Sequence, residues 1–151
     1  MYKKVTNNHK FDKRIVKRLI LAVKSIHALY GDLLIEISVF GSYAKGSQKR
    51  YSSVDLLVVV TESDERFVKR NADVQKLLNE NDEIPLIDPL IYKEEEILDL
   101  IHEKESFIVS ALKETFVVWN NFNEINLEEV KDSNRIPSRY LASIPNLEEI
   151  D

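Results

Sequence analysis

Residues 40–60, Phe-Gly-Ser-Tyr-Ala-Lys-Gly-Ser-Gln-Lys-Arg-Tyr-Ser-Ser-Val-Asp-Leu-Leu-Val-Val-Val, constrain the fold more than any other stretch of the chain. An apolar segment over 33–40 runs into a Gly-Ser turn, and a short polar stretch then leads into 54–60. That second run is apolar at nearly every position, which predicts a strand buried on both faces. Its exception, Asp55, stands near the start. An ionised carboxylate at the border of a core needs a partner, and a metal ion is one such partner.

The flanking sequence supplies layers for these strands. Phe11, Ile15, Leu19, Ala22, Ile26 and Leu29 recur at helical spacing, widened by Val16, Ile20 and Val23, and predict an amphipathic helix over 11–30. Gly31 is a fitting stop just past its end. Residues 41–46 read as a turn that opens a short helix. Thr61, Ser63 and Asp64 carry N-cap chemistry for a helix over about 64–79, expected to bury Phe67, Val68, Val74, Leu77 and Leu78. A third strand is predicted over 84–92. Pro85 and Pro89 cannot donate to a ladder, so this strand belongs at an edge or is interrupted. Short helices over 93–102 and 105–114 and a last strand over 116–119 follow. Beyond 120 the apolar period fades among Pro137, Pro145 and scattered charges. The reading is therefore a domain over 1–120 and a polar C-terminal tail over 121–151, partly extended or docked, with Leu141, Ile144 and Leu147 as anchors. The order of elements describes an α+β fold, layered like α/β: a small mixed β-sheet with helices packed on one face.

Composition narrows the function classes. The chain has no cysteine, which removes disulfides, thiolate metal sites and cysteine nucleophiles. His9, His27 and His102 are scattered without metal-ligand spacing. No P-loop, dinucleotide fingerprint or Ser/His/Asp triad is present. The polar start and the lack of a long apolar run argue against a signal peptide or membrane span, so a cytoplasmic protein is expected. Net charge is −5. Residues 1–24 are basic and the chain beyond 124 is acidic. The basic start is a surface for nucleic acid or an acidic partner, or simply a solvated helix face. The acidic total argues against an extended polynucleotide footprint, which relies on neutralising phosphates.

Within 40–60 the residue types suit a triphosphate. Gly41 lets backbone approach a phosphate closely. Ser42 offers a hydroxyl and an N–H at a helix start, where the dipole favours anions. Gly46 supplies a second tight turn, and Lys45, or Lys49 and Arg50, can neutralise phosphate charge. Asp88 sits among Ile87, Pro89, Leu90 and Ile91, a second acid inside an apolar run.

The Gly-Ser turn, the spacer and the acid on the next strand resemble the signature of the nucleotidyltransferase superfamily that includes DNA polymerase beta. That signature is Gly-Ser followed by Asp-x-Asp. Over about 12–119 the chain is similar to the minimal nucleotidyltransferases, small domains often encoded beside a helical HEPN partner. The resemblance implies transfer of a nucleoside monophosphate from ATP or another nucleoside triphosphate to an acceptor, with Mg²⁺. It assigns Asp55 and Asp88 as catalytic residues and metal ligands, and Gly41, Ser42, Lys45, Gly46 and Ser53 to the nucleotide. A HEPN-type protein is the implied acceptor, and self-association is left open. Ser53 stands where the family places its first Asp. A neutral hydroxyl is a poor ligand for a hard cation, and loss of such a ligand costs several orders of magnitude in rate where metal positioning matters. The expected protein is thus a transferase with an incomplete two-metal site, working with one metal or with a borrowed carboxylate such as Glu62. The alternative is a relative that has lost catalysis, an antitoxin-like nucleotide- or partner-binding module, and a third reading is that position 53 has been altered from aspartate.

Overall fold

The structure is a computed structural model and describes residues 11–145. Asp12 caps helix α1 (Lys13–Tyr30) by accepting from the Ile15 N–H at 3.0 Å. Gly31, at φ +55°, stops it. Strand β1 (Leu34–Phe40) leads to the single helical turn α2 (Ser42–Lys45), then β2 (Val54–Val60), α3 (Phe67–Leu78) and β3 (Ile87–Lys93). Helices α4 (Glu94–His102) and α5 (Ser106–Glu114) precede β4 (Phe116–Asn120). Three 3-10 turns, Leu127–Glu129, Asp132–Asn134 and Arg139–Ser143, complete the described chain. The sheet order is β3-β2-β1-β4. β1 runs antiparallel to β2 and β4, while β2 and β3 are parallel. The α+β class and the mixed sheet are as the sequence implied.

One detail of the expected layering is corrected: helices cover both faces of the sheet. Val54, Leu56, Val58 and Val60 pack with Ile15, Leu19, Ala22 and Ile26 of α1. Leu57 and Val59 pack with Ile97 and Ile101 of α4 and Ile108 and Leu112 of α5. Alternate residues of a strand point to opposite faces. A strand apolar at both sets must be covered twice.

β3 is an edge strand, in keeping with Pro89 inside it, while Pro85 falls before the strand begins. Its outward backbone groups are met by side chains. Asn79 accepts from the Ile87 N–H and donates to the Ile87 carbonyl, both at 2.8 Å. Asn71 accepts from the Ile91 N–H, and Arg70 donates to the Ile91 carbonyl at 2.7 Å. Glu96 accepts from the Lys93 N–H at 2.7 Å. Pro89, between Ile87 and Ile91, has no N–H to satisfy. This polar role of α3 explains a second correction. The helix buries Arg70, Val74 and Leu78, one turn apart, whereas Val68 and Leu77 are exposed. Leu29 of α1 is likewise exposed.

The segment after β4 docks on the sheet. Buried Glu36 of β1 accepts from the Ser138 hydroxyl and from the Arg139 N–H at 3.0 Å. Tyr140 and Ile144 enter the second-face core, where Leu141 packs against them. The Tyr140 hydroxyl donates to Glu94 at 2.8 Å. Leu147 lies outside the described residues.

Candidate active site

Parallel pairing of β2 with β3 places Asp55 directly opposite Asp88. Antiparallel pairing of β1 with β2 places Phe40 opposite Asp55, so the Gly-Ser turn begins beside that carboxylate. Both acids share the face that carries Leu57 and Val59. They line an open cavity of about 480 Å³ whose wall includes Phe40, Gln75, Leu90 and Phe107. Phe40 and Phe107 meet edge-to-face at 5.8 Å.

Gly41 is forced by its surroundings. Its φ is +73°, a region L side chains rarely adopt, and a methyl group on its Cα would overlap Asp55 Oδ2. Asp88 is held from two sides. The Ser53 hydroxyl donates to Oδ2 at 2.8 Å and the Gln75 amide to Oδ1 at 3.2 Å. Asp55 has a different environment. Burial first, and the neighbouring Asp88 carboxylate second, push its pKa up to about 6. Among the described residues, no Lys or Arg forms an ion pair with either acid. The two carboxylates, one of them destabilised as an anion, are hard oxygen donors suited to a cation such as Mg²⁺, whereas the neutral Ser53 hydroxyl beside them is a poor one and donates to Asp88 instead. No group of three or more His, Asp or Glu suited to a metal occurs among the described residues, so a third carboxylate for a second cation is missing from this cluster.

The remaining sequence-derived candidates fall around this centre. In α2 the Ala44 and Lys45 N–H groups both reach the Gly41 carbonyl at 3.1 Å. Gly46, at φ +75°, closes the turn on the Ser42 carbonyl. Lys45 pairs with Glu114 at 3.4 Å, both of them substantially exposed. Lys49 and Arg50 line a separate cavity. Glu62 follows the far end of β2, roughly 20 Å from Asp55 at the rise of a strand, too far to serve as a borrowed ligand. Gln75 and Phe107 escaped the sequence reading. Each reads locally as a helix surface residue, and nothing in the pattern ties either one to β3 or the Gly-Ser turn.

The family described as nucleotidyltransferase domain matches residues 16–118. A candidate protein adenylyltransferase of Methanocaldococcus jannaschii is 45% identical over 51 residues, 34% of this chain and 32% of that protein. The chain thus spans about a third of the length of that curated relative. A solved structure of a candidate nucleotidyltransferase from Sulfolobus solfataricus is 19% identical at a TM-score of 0.49, covering 76% of this chain and 87% of its own. A structure of tri-AMPylated Shewanella oneidensis HEPN toxin with MNT antitoxin is 12% identical at a TM-score of 0.41, covering 69% and 73%.

Proposed function

The chain belongs to the nucleotidyltransferase domain family, and from that premise we propose that it transfers a nucleoside monophosphate from a nucleoside triphosphate, ATP favoured, to an acceptor. The acceptor's nucleophilic oxygen bonds to the α-phosphorus, and pyrophosphate leaves. The observation that carries this reading is the pairing of Asp55 with Asp88 across β2 and β3, with Gly41 packed against Asp55. Asp55 and Asp88 would hold Mg²⁺, which when bound offsets the charge of the reacting phosphates and orients them. Gly41 and Ser42 present backbone and hydroxyl to the phosphates. Ser53 and Gln75 fix the Asp88 carboxylate by hydrogen bonds. Lys45 would exchange its solvent-exposed Glu114 partner for phosphate at little cost, because such pairs contribute little. The name of the M. jannaschii relative supports a protein as acceptor, and the resemblance to minimal nucleotidyltransferases supports a HEPN-type partner in the cytoplasm.

Calorimetric titration with ATP in Mg²⁺, with an EDTA control, tests this. Mg²⁺-dependent binding that falls about tenfold or more in Asp55→Ala is expected. Unchanged affinity in that variant would remove the site assignment.

A second reading rests on Ser53, which brings a hydroxyl into the carboxylate cluster. In it the domain binds a partner without transferring a nucleotide. Co-purification of a stoichiometric partner that takes up no label from α-labelled ATP supports it, and label on the partner rejects it.

A further inference from the structure

A second cavity, about 520 Å³, shares no lining residue with the first. Three separate segments build it: the start of α1, the loop over 46–50 and the stretch over 130–135. Five cationic side chains line it, Arg14, Lys49, Arg50, Lys131 and Arg135, against two acids, Asp12 and Asp132. Both acids are engaged internally. Asp12 caps α1 through the Ile15 N–H, and Asp132 pairs with Arg135 at 3.0 Å. Arg135 also donates to the Ala44 carbonyl at 2.9 Å and lies 4.3 Å over the Phe116 ring, so it is a fixed wall. Arg14, Lys49, Arg50 and Lys131 have no acidic partner among the described residues.

A chain of net charge −5 thus gathers, around one concavity, four cations that have no acidic partner among the described residues. Like charges held close repel one another, and a multiply charged anion relieves that repulsion. One carboxylate is too little charge for four cations. The volume lies in the range of small-molecule sites and exceeds what a single phosphate fills. A concavity of this size in an acidic chain also disfavours an extended polynucleotide.

We infer that this cleft is a second ligand site, distinct from the Asp55–Asp88 centre, and that it takes a polyphosphate: an inorganic triphosphate or the phosphate chain of a nucleotide. Arg14 of α1, Lys131 of the 130–135 stretch, and Lys49 and Arg50 of the 46–50 loop all line the cleft and would share the anion. Binding needs no divalent cation, because the protein supplies the positive charge.

The test is calorimetric titration of inorganic triphosphate into the whole protein in EDTA, repeated with Asp55→Ala and with Arg14→Gln/Lys131→Gln. The expected result is binding that survives Asp55→Ala and weakens about tenfold or more in the double variant and at high salt. A circular-dichroism melt confirms that the double variant is folded. Single variants Arg14→Gln and Lys131→Gln, each weakening binding by a smaller step, replace it if it is not. ATP in place of triphosphate separates the sources. Equal affinity assigns the phosphate chain alone, and tighter ATP binding that persists in Asp55→Ala assigns a nucleotide. Absence of binding to the unaltered protein, or loss in Asp55→Ala with retention in the double variant, overturns the inference. These outcomes leave the transferase reading untouched, since that rests on Mg²⁺-dependent binding at Asp55.

Discussion

The chemistry of the centre turns on two side chains with opposite protection. Asp88 is satisfied by Ser53 and Gln75, while Asp55 is half-buried beside it without a cation among the described residues. The folded-state pKa of Asp55, about 6, lies above the ordinary 3.8, so folding disfavours its ionised form. That penalty is absent below about pH 4, grows as pH rises to 6, and is full above it. Asp55→Asn in EDTA is therefore expected to stabilise the protein at pH 8 by about 1 kcal/mol, after allowing for solvent screening of a half-exposed group. The gain should vanish at pH 4, and thermal melts at the two pH values check this. A gain equal at both would mean that charge is not the cause. Ser53→Asp makes the converse prediction. It adds a third carboxylate to the cluster, so it should lower stability without metal and raise affinity for Mg²⁺-ATP by about tenfold. Titration of both forms with ATP and Mg²⁺ decides it, and weaker binding in the variant would remove Ser53 from the metal site.

Elements are joined here largely through polar side chains on α3 and the residue after it. Asn79 satisfies both outward groups of Ile87 and accepts from Arg18, whose side chain is buried and also reaches the Pro85 carbonyl at 2.9 Å. Asn79→Ala would leave the Ile87 N–H and carbonyl without partners at the start of β3. A loss of about 2 kcal/mol follows from the hydrogen bonds removed. Because Ile87 precedes Asp88, the same variant should weaken Mg²⁺-ATP binding. Urea unfolding and calorimetry measure the two effects, and a stability loss below about 0.5 kcal/mol would mean that water replaces the amide. The Arg70–Glu96 pair acts similarly at the other end of β3, at 2.8 Å. Burial opposes the charge on Glu96, but hydrogen bonds from Arg70 and the Lys93 N–H outweigh it and lower its pKa. The stability it contributes is present above the ordinary carboxylate pKa and is lost as pH falls through the lowered value.

At the scale of the whole molecule, the stretch after β4 is held through one buried carboxylate. Glu36 has 1% of its surface exposed and binds Ser138 and Arg139. Glu36→Ala removes the partner of both and leaves Arg139 facing a buried gap. A loss of about 3 kcal/mol is expected, together with faster proteolysis between 121 and 138. Limited trypsin digestion resolved by mass reads this out. An unchanged cleavage pattern would show that Tyr140 and Ile144 hold the segment without Glu36.

The sequence by itself determined the features that depend on near neighbours. The doubly apolar run at Val54–Val60 announced a central strand, Pro89 announced an edge, and Gly41-Ser42 announced a turn only glycine can begin. These follow from strand period, a missing donor and backbone sterics, all local properties. Tertiary structure alone decided what depends on register and on segments meeting. Asp55 faces Asp88 because β2 and β3 pair in parallel at that register, and a slip of one residue would turn Asp88 to the other face. Lys45 meets Glu114, Gln75 reaches Asp88, and four cations from α1, the 46–50 loop and the 130–135 segment surround one cavity. Side chains distant along the chain are brought together by the balance of burial over the whole sheet, and no local period encodes that balance.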